Sequence, residues 1–301
     1  MATHRRGLLR LALALAFLTA LAGAWFAPSP AVRILFAGTG HPDIYEAKPR
    51  MQSGIVVDVG GDRWLLDAGG GILARLFDHR RPPVSLTHIF LSHLHYDHCL
   101  DLDAILLSWR TGGPPPKPGA PAAPRALTIF GPDGHEKMLA DLFDAAYGVD
   151  GRGRALLKSP ALKRVRNRDA GVYEGKGYKA SFREVKHADM DCWAIKVETP
   201  QGALVFSGDL GGPKHLRAED NADFSEWAKG ARMIIIDTLH IPPEEIAKIA
   251  AAARPETLVL SHLSERALPV FKHYDLNKTV ELCSKSVKRV VVAEEGMQLE
   301  F

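Results

Sequence analysis

The stretch His93-Leu94-His95-Tyr96-Asp97-His98 follows the apolar run His88-Ile89-Phe90-Leu91-Ser92 and concentrates the metal-ligand chemistry of this chain. Three imidazoles and one carboxylate fall within six residues, and these are the ligands that zinc takes where no thiolate is supplied. The alternative explanation is a solvated, histidine-rich turn. Four ligand-type side chains at strand-to-helix spacing favour a metal site over that alternative.

The order of elements around this stretch predicts two groups of ligands. Residues 87–92 read as a buried strand, because they are β-branched and aromatic and end at a polar serine. His93 and His95 are two residues apart and point to one side of such a strand end, so they can share one metal. Asp97 and His98 come after the chain has turned and can serve a second metal nearby.

Length and composition suit one large globular α/β domain or two small ones. The 301 residues are 46% hydrophobic and 24% charged, and the formal net charge of +3 does not by itself indicate a nucleic-acid partner. Three cysteines, Cys99, Cys192 and Cys283, are too scattered for a disulfide framework. We expect Cys99 to be a small buried thiol rather than a further metal ligand.

The N-terminal residues 1–27 predict export. Three arginines within the first ten residues precede an uncharged run from Leu11 to Ala27. The pair Ala22 and Ala24 offers an Ala-x-Ala cleavage site, which favours a removable signal peptide, while the length of the run leaves an uncleaved N-terminal membrane anchor open. If the source is bacterial, we therefore expect the body of the protein, residues 32–301, to be periplasmic or secreted, or held at the membrane.

Three further ligand-type residues stand where apolar runs stop. His187, Asp209 and His262 follow runs that we predict to be strands. Groups that serve a shared site at the edge of a sheet usually occupy such positions. Each of the three alone is more often structural, but together with the His93–His98 stretch they form a complete ligand set.

Two other residues have two interpretations each. Asp67 follows a predicted hairpin around Gly60-Gly61, and it either orients a metal-bound histidine or caps the helix that comes next. His41 lies at the tip of a glycine-containing loop and either reaches a ligand or is exposed. For His41 we expect an exposed side chain.

At these residues the sequence resembles the metallo-β-lactamase superfamily, whose signature His-x-His-x-Asp-His follows a strand. The resemblance implies an α/β fold, a four-layer αβ/βα sandwich, with two Zn²⁺ ions at one edge, Mn²⁺ or Fe being alternatives. It implies His93, His95 and His187 as ligands of one metal, Asp97, His98 and His262 as ligands of the second, and Asp209 as the carboxylate that bridges them.

Within the superfamily, the loop from Gly38 to Gly40 and residues 65–71 and 260–266 resemble the ribonuclease Z and arylsulfatase branch. Two departures matter. Only the 21 residues 188–208 stand where tRNA-processing members carry the flexible arm that grips tRNA, so tRNA is not expected as a substrate. Residues 236–239 replace the family's His-Glu-Ala-Thr segment, and His240 is the candidate substitute for its leaving-group histidine.

The resemblance implies hydrolysis of an anionic ester, either a phosphodiester or a sulfate ester, by a water that the metal pair activates. Asp97 would orient that water or take its proton, and His240 would protonate the departing oxygen. A lactonase or β-lactamase with a carbonyl substrate is the first alternative.

The second alternative is a non-catalytic, exported binder of anionic polymers. It would use residues 151–186, which hold eleven Lys or Arg against three Asp or Glu. Because the cluster from Lys163 to Arg168 has no interleaved aromatic residues, we expect a solvated surface there instead.

Overall fold

Two seven-stranded β-sheets organise the part of the chain that the computed structural model describes, namely residues 32–41, 50–112, 126–148, 152–212, 214–264 and 271–301. The segment 1–27, for which a signal peptide or anchor is predicted, lies outside these residues. Among the described residues, no helix combines the length and apolar character needed to cross a membrane.

The first sheet comes from the N-terminal half of the chain and the last strand. Its strands are β1 (Arg33–Gly38), β2 (Gly54–Val59), β3 (Asp62–Leu66), β4 (His88–Phe90), β5 (Leu127–Gly131), β6 (Leu162–Arg166) and the final strand, β14 (Gln298–Glu300). Their order is β14-β1-β2-β3-β4-β5-β6. Strands β3 to β6 run parallel, whereas β14, β1, β2 and β3 pair antiparallel.

The second sheet follows the same plan in the C-terminal half. Its strands are β7 (Val172–Gly175), β8 (Tyr178–His187), β9 (Met190–Thr199), β10 (Gly202–Phe206), β11 (Met233–Asp237), β12 (Thr257–Ser261) and β13 (Arg289–Val292). Their order is β13-β12-β11-β10-β9-β8-β7. Strands β10 to β13 run parallel, and β7 to β10 form an antiparallel meander.

Helices cover the outer face of each sheet. The described helices are α1 (Ile72–Asp78), α2 (Tyr96–Cys99), α3 (Leu102–Thr111), α4 (His135–Tyr147), α5 (Arg152–Leu157), α6 (Ala222–Trp227), α7 (Pro243–Ala253) and α8 (Leu276–Cys283). Apolar residues of α1, α3, α4 and α5 pack on the first sheet, and those of α6, α7 and α8 pack on the second. Helix α2 is a single turn that follows the carboxyl end of β4.

The alternation of side chains along the strands builds three apolar layers. In β11, Met233 and Ile235 join the core between the two sheets, while Ile234 and Ile236 pack against the helices outside. A strand that is buried on both faces reads as a continuous apolar run. The predicted four-layer αβ/βα sandwich is therefore confirmed.

One edge of the sandwich gathers the loops that follow the strands. Gly40, after β1, pairs with Leu263, after β12, and the Leu263 N–H donates to the Thr39 carbonyl at 2.8 Å. A second link joins the sheets between β9 and the residues after β4, where the Trp193 N–H donates to the Ser92 carbonyl at 3.0 Å. These links hold the edges of the two sheets together where the candidate site lies.

Candidate metal centre

The structure brings all seven predicted ligands together at this edge. In one group, the possible ligand atoms of His93, His95, His187 and Asp209 lie within 4.8 Å of one another, and Asp97, His98 and His262 form a second group by the same measure. His95 is the most accessible of the seven, and the other six side chains are buried. Residues from the stretches that follow β4, β10 and β12 and from the end of β8 thus converge on one volume.

The carboxylate of Asp209 lies at the centre of this cluster. Its Oδ2 atom is 3.3 Å from His98 Nε2, 3.6 Å from His262 Nε2, 3.7 Å from His93 Nε2 and 3.8 Å from His187 Nε2. This oxygen is buried and receives no hydrogen bond from any described residue. An unsatisfied buried carboxylate oxygen is costly, so a cation is the missing partner that this geometry fits.

The separations between ligand atoms also fit zinc. Tetrahedral zinc with bonds of about 2.0–2.1 Å holds its ligand atoms about 3.3 Å apart. His95 Nδ1 lies 2.9 Å from His93 Nε2 and 3.3 Å from His187 Nε2. Asp97 Oδ2 lies 3.4 Å from His98 Nε2 and 3.8 Å from His262 Nε2. Imidazole nitrogens and carboxylate oxygens at these distances are a donor set that fits zinc.

Burial lowers the pKa of two histidines in the first group, which favours the neutral form that binds a metal. It lowers the pKa of His93 well below the usual range and lowers the pKa of His187 to about 4. Both rings are therefore neutral near pH 7, as a metal ligand must be. Burial alone would raise the pKa of Asp209, but His262 and the other nearby imidazoles outweigh it and hold that pKa well below its usual range.

Asp67 forms hydrogen bonds to the candidate ligand His98 and to Ser92 beside it. Its Oδ2 accepts a hydrogen bond from His98 Nδ1 at 2.7 Å, and its Oδ1 accepts one from the Ser92 backbone N–H at 2.8 Å. The hydroxyls of Ser53 and Ser92 also donate to Oδ2. Helix α1 begins after Gly71 without a side-chain cap, so the capping interpretation of Asp67 is wrong. The orientation of a ligand histidine is the role its contacts support.

A second carboxylate–histidine pair borders the cluster. His240 Nδ1 lies 2.7 Å from Asp237 Oδ2 and 3.6 Å from Asp209 Oδ2. Burial would lower the pKa of His240, but Asp237 and Asp209 outweigh it and raise the pKa to about 9. The sequence analysis assigned no role to Asp237. Its position at the end of the apolar strand β11 is the same kind of signal that identified Asp209, which follows β10.

Two predictions about neighbouring residues have opposite outcomes. The expected exposure of His41 is wrong: its side chain is buried, with its ring 6.4 Å from the ring of His262, because the pairing of Gly40 with Leu263 carries the loop into the site. Cys99 is a buried thiol, as predicted, and its Sγ lies 3.2 Å from the His95 carbonyl oxygen.

Residues 188–208 contain only the turn into β9, then β9, β10 and the approach to Asp209. No arm is inserted between His187 and Asp209, since every residue of this segment is described.

The basic region 151–186 is largely a charged surface. Ion pairs with neighbouring carboxylates are made by at least five of its basic side chains: Arg154, Arg166, Arg168, Lys179 and Lys186. These five side chains are each about half exposed or more, so much of the region's charge is solvated or compensated.

The beta-lactamase superfamily domain model matches residues 62–263, a span that holds all seven candidate ligands. The chain belongs to this superfamily, and with its paired His and Asp groups it is a metallo-β-lactamase superfamily hydrolase of the ribonuclease Z-like kind. The non-catalytic binder is thereby set aside.

The chain is also similar to individual proteins. An uncharacterized protein of Mycobacterium leprae is 28% identical over 225 residues, which is 66% of each chain. Ribonuclease Z of Methanosarcina mazei is 24% identical over 323 aligned positions, covering 89% of this chain and 98% of the relative. The crystal structure of the metallo-beta-lactamase fold protein YhfI from Bacillus subtilis shares the fold, with a TM-score of 0.67 at 17% identity over 91% of this chain and 100% of that one.

Proposed function

We propose that this hydrolase uses two zinc ions to cleave phosphodiester or sulfate ester bonds. The observation that carries the proposal is the position of Asp209 Oδ2, which has five imidazole nitrogens within 3.8 Å and no hydrogen bond from the described residues. Zinc ions bound there would lower the pKa of a water toward 7 and polarise an ester oxygen.

The chain's own residues supply the proton transfers. Burial would raise the pKa of Asp97, but His98 and His262 outweigh it and lower that pKa, so the carboxylate is ionised and can orient a water or accept its proton. His240 is held through Nδ1 by Asp237, which leaves Nε2 to donate a proton to the departing oxygen. A proton from His240 would neutralise the alkoxide or phenolate that leaves, so this residue favours esters of an alcohol or phenol.

The absence of an arm between His187 and Asp209 supports substrates other than precursor tRNA. A lactonase or β-lactamase would use the same metals on a carbonyl group. Turnover of carbonyl substrates and of anionic esters therefore distinguishes this alternative from the proposed function. The Gly38 to Gly40 loop, which resembles that of the ribonuclease Z and arylsulfatase branch, favours the anionic ester.

The test compares three substrates on zinc-loaded enzyme with metal quantified in the same sample. We expect turnover of bis(4-nitrophenyl) phosphate or 4-nitrophenyl sulfate that disappears with a chelator and returns with zinc. His95→Ala and Asp209→Ala should abolish it while circular dichroism shows a folded protein. Preferred turnover of nitrocefin, or full activity in either variant, would contradict the proposal.

We also propose that the protein works outside the cytoplasm, either released or held at the membrane through its N-terminus. Support comes from the arginines and the apolar run within residues 1–27. Expression of the full chain in a Gram-negative host, followed by fractionation and N-terminal sequencing, tests this. A periplasmic product that starts after Ala24 indicates cleavage, and a membrane product that starts at Met1 indicates an anchor. A cytoplasmic product would contradict export.

A further inference from the structure

Asp237 and His240 also belong to a third group of side chains that could hold a metal ion. The possible ligand atoms of four residues lie within 4.8 Å of one another, namely those of Asp209, Asp237, His240 and His262. Asp209 follows β10, Asp237 ends β11, and His262 follows β12. These three strands are parallel neighbours in the second sheet, so their carboxyl ends bring the group together.

The separations within this group fit zinc. His240 Nδ1 and His262 Nε2 each lie 3.6 Å from Asp209 Oδ2. Ligand atoms around tetrahedral zinc lie about 3.3 Å apart. The 2.7 Å between His240 Nδ1 and Asp237 Oδ2 is a hydrogen-bond distance, and a zinc ion that binds both atoms would widen it by about 0.6 Å.

Two members of the group present buried atoms that lack a partner. Asp209 Oδ2 and both ring nitrogens of His262 are buried and form no hydrogen bond with the described residues. The His262 ring also stacks on the ring of His240, with centroids 5.3 Å apart. Because unsatisfied buried polar atoms are costly, a cation between these side chains would be stabilising.

His262 can serve only one zinc ion through its Nε2 atom. We call Asp97 and His98 the β4 pair, and Asp237 and His240 the β11 pair, after the strands that precede or contain them. His262 Nε2 lies 3.8 Å from Asp97 Oδ2 of the β4 pair as well as near Asp209. A ring nitrogen binds one metal at a time, so ions held by the two pairs would compete for His262.

The β4 pair is the stronger of the two. Asp67 accepts a hydrogen bond from His98 Nδ1 and so directs the opposite nitrogen of that ring at the cluster. In the β11 pair, Asp237 accepts hydrogen bonds from the Leu210 N–H at 3.0 Å and the Leu239 N–H at 2.8 Å. These donors already stabilise the carboxylate charge that a cation would use, so the ion prefers the β4 pair.

We infer that the β11 pair, together with Asp209 and His262, forms an alternative position for the second zinc ion. The inference rests on the proposed function, which requires two zinc ions in this centre. An ion in the alternative position binds His240 as a neutral ligand, so His240 no longer donates a proton to the leaving group. The enzyme therefore has an active and an inactive arrangement of the same two ions.

The test removes the imidazole of the β4 pair and measures zinc binding by competition with a chromogenic chelator. His98→Ala should still bind two zinc ions per chain. Adding Asp237→Asn should then weaken the second ion at least about tenfold, whereas Asp237→Asn alone should weaken it less than about twofold because the β4 pair holds the ion. His98→Gln, which fills more of the space of the ring, repeats the comparison, and circular dichroism monitors folding.

The matched control adds Asp101→Asn to His98→Ala in place of Asp237→Asn. The Asp101 carboxylate accepts a hydrogen bond from the Leu73 N–H, and this double variant should bind the second zinc ion as tightly as His98→Ala does. Crystals of His98→Ala soaked in zinc give a second readout. Their second anomalous peak should lie beside Asp237 and His240.

A single bound zinc ion in both folded His98 variants would overturn the inference, as would an equal effect of Asp237→Asn with and without His98. Two zinc ions and ester hydrolysis in the wild type would then leave the proposed function intact. A wild-type protein that binds fewer than two zinc ions would overturn both.

Discussion

Asp67 Oδ2 and His98 Nδ1 are joined by a hydrogen bond of 2.7 Å, and the opposite nitrogen of the same ring, Nε2, lies 3.3 Å from Asp209 Oδ2. This hydrogen bond to Nδ1 orients the His98 ring so that its Nε2 faces the cluster. Asp67 adopts a left-handed backbone, with φ of 61°, as does the candidate ligand His262, with φ of 58°. Non-glycine residues in that region store strain, which is typical of functional positions.

Replacing the orienting carboxylate should weaken metal binding. In Asp67→Asn the side-chain shape is kept, but the negative charge that fixes the His98 ring is lost. Zinc affinity, measured by competition with a chromogenic chelator, should fall about 10- to 100-fold. The matched control is Asp101→Asn, because the hydrogen bond that the Asp101 carboxylate accepts comes from the Leu73 N–H and not from a candidate ligand. Wild-type affinity in Asp67→Asn would contradict the assigned role.

Loss of the proton donor should appear as a dependence on the leaving group. In His240→Gln, kcat for diesters with poor leaving groups such as phenolate should fall by about 10²- to 10⁴-fold. Esters of 4-nitrophenol, whose leaving group needs little protonation, should lose far less. Zinc content should stay unchanged, and Asp237→Asn should give the same pattern because Asp237 holds the His240 ring. An equal loss for all leaving groups would exclude His240 as the acid.

His88 should make the fold sensitive to acid. Its buried ring stacks on Trp64 at 4.1 Å, and burial lowers its pKa from 6.5 to about 4. The unfolded chain binds this proton more readily, so the stability is complete above pH 6.5 and is lost as the pH falls towards 4. Between pH 7 and pH 5 the loss is on the order of 2 kcal/mol.

His88→Phe removes this titrating group and keeps an aromatic ring. Urea unfolding of the zinc-loaded protein at pH 7 and pH 5 should show a smaller pH-dependent loss of the free energy of unfolding in the variant than in the wild type. Identical losses would show that His88 is not the group concerned.

Zinc should stabilise the folded chain. At a free concentration 100 times its Kd, a single bound ion raises the free energy of unfolding by about 2.7 kcal/mol, which a thermal melt detects. A chelator should reverse the shift. Asp209→Asn should lose most of it, because Asp209 belongs to the first ligand group and its Oδ2 also lies 3.3 Å from His98 Nε2 and 3.6 Å from His262 Nε2 of the second. His79→Gln, which removes a histidine outside these groups, should retain the full shift.

The ligand set was visible in the sequence because each member follows a short apolar run. Asp209 and His262 follow strands whose carboxyl ends are buried, whereas His187 ends β8, which is only partly buried. The parallel strands β10 and β12 deliver their carboxyl ends to one edge. The two-sheet architecture was predicted through the family resemblance. Periodicity alone placed the strands and helices but did not pair the sheets.

Other features depend on contacts between distant parts of the chain. His41 is buried because Gly40 pairs with Leu263, more than two hundred residues away, and nothing in the local sequence signals that contact. Asp237 and Asp209 have the same chemistry and the same place beside a strand end. Only the structure distinguishes the carboxylate that faces the imidazole cluster from the one that holds His240.

Anomalous diffraction at the zinc edge from zinc-soaked crystals shows whether the seven side chains hold a pair of metal ions. We expect two peaks, each about 2.0–2.2 Å from its ligand atoms. One should be bounded by His93, His95 and His187, the other by Asp97, His98 and His262, with Asp209 reaching both. No peak within this cluster, or peaks only at surface histidines, would contradict the account.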